Sequence, residues 1–355
     1  MKRFICFLSI AFLLFSCDKT GLFQEPEPSP PNVNTHTDPE SKWYDFGPLQ
    51  KILNGYTVIG IAFDSKDNAW IATFNKGIIR YNEKQTVRYN AENSKLPADL
   101  VIWDIAVDKN DNVWIGASDG AWKFDGKGFT HYNSKNTAMP EDIVWNIAVD
   151  SRNTVWMASC RFNQGGLVKY DGKTWTAYTP ENSPLPTNSI HGIAIDQSDN
   201  VWLALGDYVN QVYLAKISGN KWSLYGEKEL GFKPYYIGGI QCDNKNRLWV
   251  ALDYSLSSAM ISRGPHFFIF DGKNTTQLYC GDSMHTGSSR SGITIDHNGS
   301  AWCYGVGTDS GVWIDNQWYR FDFNGEYAGG GAWVIKEDRH HKLWIGTEDG
   351  IYIKQ

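Results

Sequence analysis

Basic residues are not in excess in this chain. Its 355 residues carry 33 Lys and Arg against 39 Asp and Glu, a formal net charge of −6. Without a basic face, nucleic acid is excluded as a partner. Long apolar runs are missing after residue 17, so no later segment is expected to cross a membrane as a helix. Cysteine is scarce: of six, Cys6 lies in the leader and Cys17 just after it, and Cys160, Cys242, Cys280 and Cys303 remain. Their spacing matches no disulfide framework, and buried free thiols are expected. No H-x-x-x-H pair, Gly-rich phosphate loop or nucleophile elbow is present, which removes the usual sequence signs of zinc hydrolases, nucleotide-binding folds and serine hydrolases. No cofactor is expected.

What is present is aromatic. The chain has 16 Trp, 18 Tyr and 17 Phe, and 42% of its residues are hydrophobic. The stretch DIAVDKNDNVWIGASDG (104–120) has oxygen side chains at calcium-loop spacing: Asp108, Asn110, Asn112 and Asp119. The rest of the chain repeats the stretch without repeating those oxygens. An Asp is followed six residues later by Trp at Asp64/Trp70, Asp108/Trp114, Asp150/Trp156, Asp196/Trp202, Asp243/Trp249, Asp296/Trp302 and Asp338/Trp344. Other copies put Lys66, Asn153 and Thr154, Lys245 and Arg247, or His340 and Lys342 where the ligands would be. A metal site would keep its oxygens and let the Trp vary. The Asp therefore reads as a turn residue accepting from backbone N–H groups.

The interval averages about 46 residues, the length of a propeller blade. Ile61, Ile105, Ile147, Ile193, Ile240, Ile293 and Ile335 lie three residues before each frame Asp, and Phe63, Val107, Val149, Ile195, Cys242, Ile295 and Glu337 lie one before it. That alternation predicts a strand. The Trp opens a second strand, a Gly-containing turn leads into a third (GIIRYN, GLVKYD), and an aromatic fourth follows, as in KTWTAY (173–178) and KWSLY (221–225). Such sheets must stack to cover their apolar faces. Each Trp buries roughly 150–250 Å², worth about 4–6 kcal/mol. The fold class is all-β: a seven-bladed β-propeller of four-stranded antiparallel blades, with short protected edges. The last copy ends in a third strand at GIYIKQ, so an N-terminal strand is expected to close the ring. KWYDFGPLQ (42–50) is the candidate, with Trp43 and Phe46 spaced like Trp175 and Tyr178.

Residues 1–16 carry Lys2 and Arg3 and then a twelve-residue apolar run, Phe4 to Phe15. The run is too short to span a bilayer, and its flanks are those of a signal peptide. Leu14-Phe15-Ser16-Cys17 resembles a bacterial lipobox, which implies lipidation at Cys17. Residues 17–41, with EPEPSPP, read as a disordered tether, and 42–355 as the propeller. The expected location is the envelope of a Gram-negative bacterium, outer membrane, held through the lipid anchor only.

The repeat, fullest in LWIGTEDGIYI (343–353), resembles the two-component regulator propeller repeat. The linkers ENSKLPADLVIWDIAVD and ENSPLPTNSIHGIAID are similar to that family's blade connections. The resemblance covers 42–355. It implies a propeller fold and a relation to periplasmic sensor domains of hybrid histidine kinases that respond to carbohydrates. This sequence contains no kinase, so signalling by phosphorylation is not expected of it.

The expected function is non-catalytic binding of a carbohydrate or other small ligand, or of an envelope protein. Five residues before each frame Asp come Ile59, Trp103, Trp145, His191, Gly238, Ser291 and Trp333, at the channel mouth. Trp103, Trp145 and Trp333 would stack on sugar rings, while Asp104, Asn146, His191, Tyr236 and Arg263 supply hydrogen bonds. Two other readings stand beside it. One is a metal-dependent lyase or hydrolase using His191, His266 in the long blade-five insertion, and His285. The other is a scaffold subunit of an envelope complex, with the rim as its interface. His297, His340 and His341 fall in turns at the opposite face and read as solvated.

Overall fold

The computed structural model describes residues 44–161, 164–207, 212–234, 237–252, 266–279, 292–305, 310–321 and 331–354. Trp43, Tyr236, Arg263, Cys280, His285, Cys17 and the whole leader and tether lie outside these. The described residues form seven four-stranded antiparallel sheets, and their one helix is the single turn Glu227–Leu230. The innermost strands are Val58–Phe63, Ile102–Val107, Val144–Val149, Ile190–Ile195, Ile237–Cys242, Gly292–Ile295 and Val334–Glu337. Each packs beside the next and the seventh beside the first, so the ring is closed.

Closure comes from the N-terminus, as expected, but the strand is displaced along the sequence. The outer strand of blade 7 is Leu49–Ile52, paired from Leu49↔Lys354 to Ile52↔Ile351. Tyr44 and Phe46, expected within that strand, instead run back along blade 6. The Tyr44 N–H donates to Arg320 O at 2.7 Å. The Tyr44 and Phe46 rings pack on Trp302, with centroids 5.2 and 5.7 Å away. The aromatic spacing matched that of Trp175 and Tyr178, yet those rings serve an inter-blade seam here rather than a strand.

The core is not one cluster but seven, each shared by two consecutive blades. Trp70 packs with Ile105 and Ile115 of blade 2, Trp114 with Ile147 and Met157 of blade 3, and so on to Trp344 with Ile61 and Ile71 of blade 1. The seven frame Trp residues are 0–9% exposed. Flat indoles at the same place in every blade fill the wedge between adjacent sheets.

The Asp-to-Trp interval of six residues has a physical cause. In every blade the indole N–H donates to the frame Asp Oδ2, at 2.9 to 3.4 Å. The other oxygen, Oδ1, accepts the backbone N–H groups two and four residues on, as from Lys66 and Asn68 to Asp64. A carboxylate is the side chain that accepts at both oxygens and donates at neither. Asp108 thus spends its oxygens on Asn110 N, Asn112 and Trp114. The calcium-like loop is a turn whose carboxylate is fully occupied by its own chain.

Three residues past each frame Asp the backbone is left-handed: Asp67, Asp111, Asn153, Asp199, Asn246, Gly299 and His341 have φ from +58° to +85°. Asp, Asn and Gly are the residues that accept this conformation most readily. In four blades the same side chain also links the ring. Asp111 Oδ1 accepts from Ser65 N, Asn153 from Lys109 N, Asp199 from Ser151 N and Asn246 from Gln197 N, at 2.7–2.8 Å.

Candidate functional site

The inner strands start at the channel mouth, and there the ladder breaks. In blades 1 to 5 the register slips between Val58 and Gly60, Ile102 and Asp104, Val144 and Asn146, Ile190 and Gly192, and Ile237 and Gly239. The residues expected at the mouth, Ile59, Trp103, Trp145, His191 and Gly238, are the extra residues of these bulges. A bulge takes one residue out of the ladder and re-aims its side chain. That is why this position escapes the repeat.

Trp103 and Trp145 come together. Their ring centroids are 4.2 Å apart at an interplanar angle of 42°, and both residues remain half-buried. Trp145 is fixed by its indole N–H, which donates to Cys160 O at 2.7 Å. The two rings therefore form one composite wall rather than two facing ones. Trp333, also half-buried, packs against the blade 1–blade 2 cluster, and its backbone N–H donates to Gly346 O at 2.8 Å.

Asp104 stands next to the indole pair. Its Oδ1 accepts from Ile105 N at 2.8 Å and its Oδ2 from Ile147 N at 2.9 Å, which ties blade 2 to blade 3. Burial raises the carboxyl pKa, while hydrogen bonds from Ile147, Ile105 and Asn146 and the Lys336 charge oppose that rise. Asn146 is thus beside Asp104, as the sequence suggested. Lys336, whose charge acts on Asp104, is on blade 7, 232 positions away by numbering, and sequence spacing gave no sign of it.

His191 is half-buried, like the two indoles. Its Nε2 lies 3.1 Å from Ser189 Oγ. A Cβ on Gly206 would come within 2.1 Å of that nitrogen, so glycine is what leaves room for the ring. Burial lowers the imidazole pKa from 6.5 to about 4. His266 is 4% exposed and sits at the sheet rather than out in a loop: Leu252 N donates to its carbonyl, and its own N–H donates to Leu278 O, both at 3.0 Å. Neither histidine joins a three-ligand cluster among the described residues. Cys160, Cys242 and Cys303 are free thiols, and burial pushes Cys160 up to about 11.

A concave feature lies at the opposite face, where the sequence pointed only to solvated turns. A cavity of about 870 Å³ opens across blades 5, 6 and 7, lined among others by Lys245, Trp249, Asp296, Asn316 and Lys354. Histidines flank it or stand near it, and each contacts a carboxylate: His297 and His341 at Glu337, and His340 at Asp67, 3.1 Å away. One signal in the sequence pointed here. Glu337 occupies a place that is apolar in the other six copies.

Seven four-stranded blades closed by an N-terminal strand define a β-propeller. No protein-family model and no curated protein matches the sequence. Solved structures do match. The extracellular domain of the putative one component system BT4673 from B. thetaiotaomicron is similar over 88% of this chain, with TM-score 0.65 and 16% identity. The extracellular domain of the putative hybrid two component system BT3049 from the same organism is similar over 85%, with TM-score 0.63 and 18% identity. Virginiamycin B lyase from Staphylococcus aureus is similar over 86% of this chain and 98% of its own, with TM-score 0.66 and 15% identity. The chain spans about two-fifths of the length of the two system-protein chains, 40% and 39%. At such identities the likeness shows the fold alone. Among the described residues no helix is long and apolar enough to cross a membrane.

Proposed function

We propose that this chain is an exported, lipid-anchored propeller that recognises a carbohydrate, or a ligand of similar polar and apolar faces, at the channel mouth without catalysis. The observation that carries the reading is the half-buried Trp103–Trp145 wall set in consecutive bulges beside Asp104 and Asn146. An indole face stacks on the C–H face of a sugar ring, and a carboxylate with an amide takes its hydroxyls. Two structural neighbours are described as extracellular domains of bacterial one- and two-component systems, which supports an exported sensing or binding role.

The test is a glycan-array screen of the full chain, followed by titration of any hit against Trp145→Ala and Trp333→Ala proteins shown to be folded. Loss of affinity of about tenfold or more in at least one variant supports the mouth, since stacked aromatics rank among the residues that dominate binding energy. Unchanged affinity in both removes it. The anchor is tested separately: Cys17→Ser should move the protein out of the membrane fraction, and retention there would argue for a protein partner, the scaffold reading. The half-buried His191 imidazole, held down at about 4, is a weak general base near neutrality, which favours binding over the lyase reading.

A further inference from the structure

The ring of inter-blade links at the frame turns is regular through blade 5 and then changes. Blade 6 has Gly299 at the linking position, which has no side chain to offer. Blade 7 has His341 there, in the left-handed region at φ +66°. In place of the usual link, Glu337 of blade 7 reaches to blade 6, where its Oε2 accepts from His297 N at 2.8 Å.

Three places in the repeat depart together. One residue before the frame Asp, six blades have Phe, Val, Val, Ile, Cys and Ile, and blade 7 has Glu337. One residue after it, the other blades have Ser65, Lys109, Ser151, Gln197, Asn244 and Arg339, and blade 6 has His297. Three after it, His341 stands where the others have Asp, Asn or Gly. These departures come from two blades and converge on one point. The imidazole centroids lie 3.8 Å apart, and both Nδ1 atoms face Glu337 Oε1, His341 at 3.5 Å and His297 closer still.

We propose that His297, Glu337 and His341 form a three-ligand site for a zinc-class divalent ion, with the remaining coordination position toward the cavity they line. One ligand atom from each lies within 4.8 Å of the others. Zinc bonds of about 2.0–2.1 Å in a tetrahedron place ligand atoms about 3.3 Å apart. The Glu337 carboxylate and the two imidazoles are close to that spacing, and modest rotation of the half-exposed rings completes it. Glu337 is already oriented, because its second oxygen is held by the His297 backbone N–H; such outer contacts are what preset a metal ligand. Two imidazoles and one carboxylate are a donor set suited to zinc and its first-row neighbours rather than to calcium or magnesium. The cavity volume of about 870 Å³ leaves room for water or a small ligand on the open position. The site is at the opposite end of the inner strands from the mouth, and it stands or falls independently of carbohydrate recognition there.

The experiment is calorimetric titration of the chelator-treated full chain with zinc chloride, repeated with cobalt(II), whose visible absorption reports four-coordination. One ion per chain, with an affinity of about micromolar or tighter, is expected. His341→Asn and His297→Ser each install a residue that other blades carry at that place, so the fold should tolerate them, as thermal melting without metal will show. Each should weaken zinc binding by about tenfold or more. Glu337→Gln keeps the side-chain shape and the bond from His297 N–H, removes the charge, and should weaken binding likewise; it decides the matter if either histidine variant fails to fold. Absence of saturable binding to the native chain overturns the proposal, as does unchanged affinity in any folded variant of the three.

Discussion

The two ends of each inner strand obey different rules. At the frame end all seven blades have the same Asp, the same indole bond and a left-handed backbone three places on. At the mouth end the bulged residue is Ile59, Trp103, Trp145, His191 or Gly238, different in kind from blade to blade. One task done seven times, closing a hairpin and seating a wedge of Trp, produces repetition. A surface that faces outward has no such task, so its residues are released to recognise something else. The exception sharpens the rule: where the frame end stops repeating, at His297, Glu337 and His341, a candidate site appears there too.

The largest expected effect tests closure. Deleting residues 44–53 removes the outer strand of blade 7 and the Tyr44 and Phe46 rings against Trp302. The product should lose cooperative thermal unfolding and aggregate in size-exclusion chromatography, because an exposed strand edge invites pairing. A monomeric product with an unchanged melting curve would show that the ring closes without this strand.

Next comes the contrast between the ends. Trp114→Ala should cost about 3–5 kcal/mol in chemical denaturation, the usual range for a buried aromatic truncated to Ala, and it also leaves Asp108 Oδ2 without its indole donor. Trp145→Ala, at the mouth, should cost at least about 1 kcal/mol less, since that ring is already half-exposed and less transfer energy is lost. Equal costs would break the comparison.

Acid provides a third probe, at the mouth end alone. Folding lowers the His191 pKa from 6.5 to about 4. Between those values the unfolded chain binds a proton that the folded chain does not, so stability is intact above pH 6.5 and falls as pH drops toward 4. The loss amounts to about 3 kcal/mol at most, at about 1.4 kcal/mol per unit. His191→Gln should flatten that part of the stability–pH curve measured between pH 7 and 4. An identical curve in the variant would mean that folding does not hold the His191 imidazole neutral.

The smallest effects belong to the inter-blade links. Asp111→Ala deletes two hydrogen bonds to Ser65 and places Ala at φ +59°, for an expected cost of about 1–2 kcal/mol. An unchanged melting temperature in Asp111→Ala would mean the links do not stabilise the ring.

Much of this fold was legible because propeller physics is periodic. The seven Asp–Trp pairs gave blade count, the Ile positions gave the inner strands, and the missing fourth strand after GIYIKQ gave the direction of closure. The strand itself was misplaced, because Trp43 and Phe46 imitate an outer-strand pair while Leu49–Ile52, with no aromatic, forms the real one. At the mouth, the expected set of eight residues includes Trp103 and Trp145, whose rings meet, and Asp104 and Asn146, which lie together, since consecutive blades put equal frame positions side by side. His266 was read as a loop residue from the length of the insertion around it, but its backbone bonds place it at the head of the third strand of blade 5, between the second and the fourth.

By itself the sequence determined what repeats: a strand alternation, a turn acid and an indole every blade, each fixed by contacts within one hairpin or with the next blade. Only the tertiary structure decided what does not repeat. That the Lys336 charge acts on Asp104, that Glu337 contacts two imidazoles, and that Trp103 leans on Trp145 all depend on how the closed ring and its bulges aim individual side chains. A period in sequence encodes the local contact made many times. A site made once, between blades brought round to meet, leaves only a departure from that period as its trace.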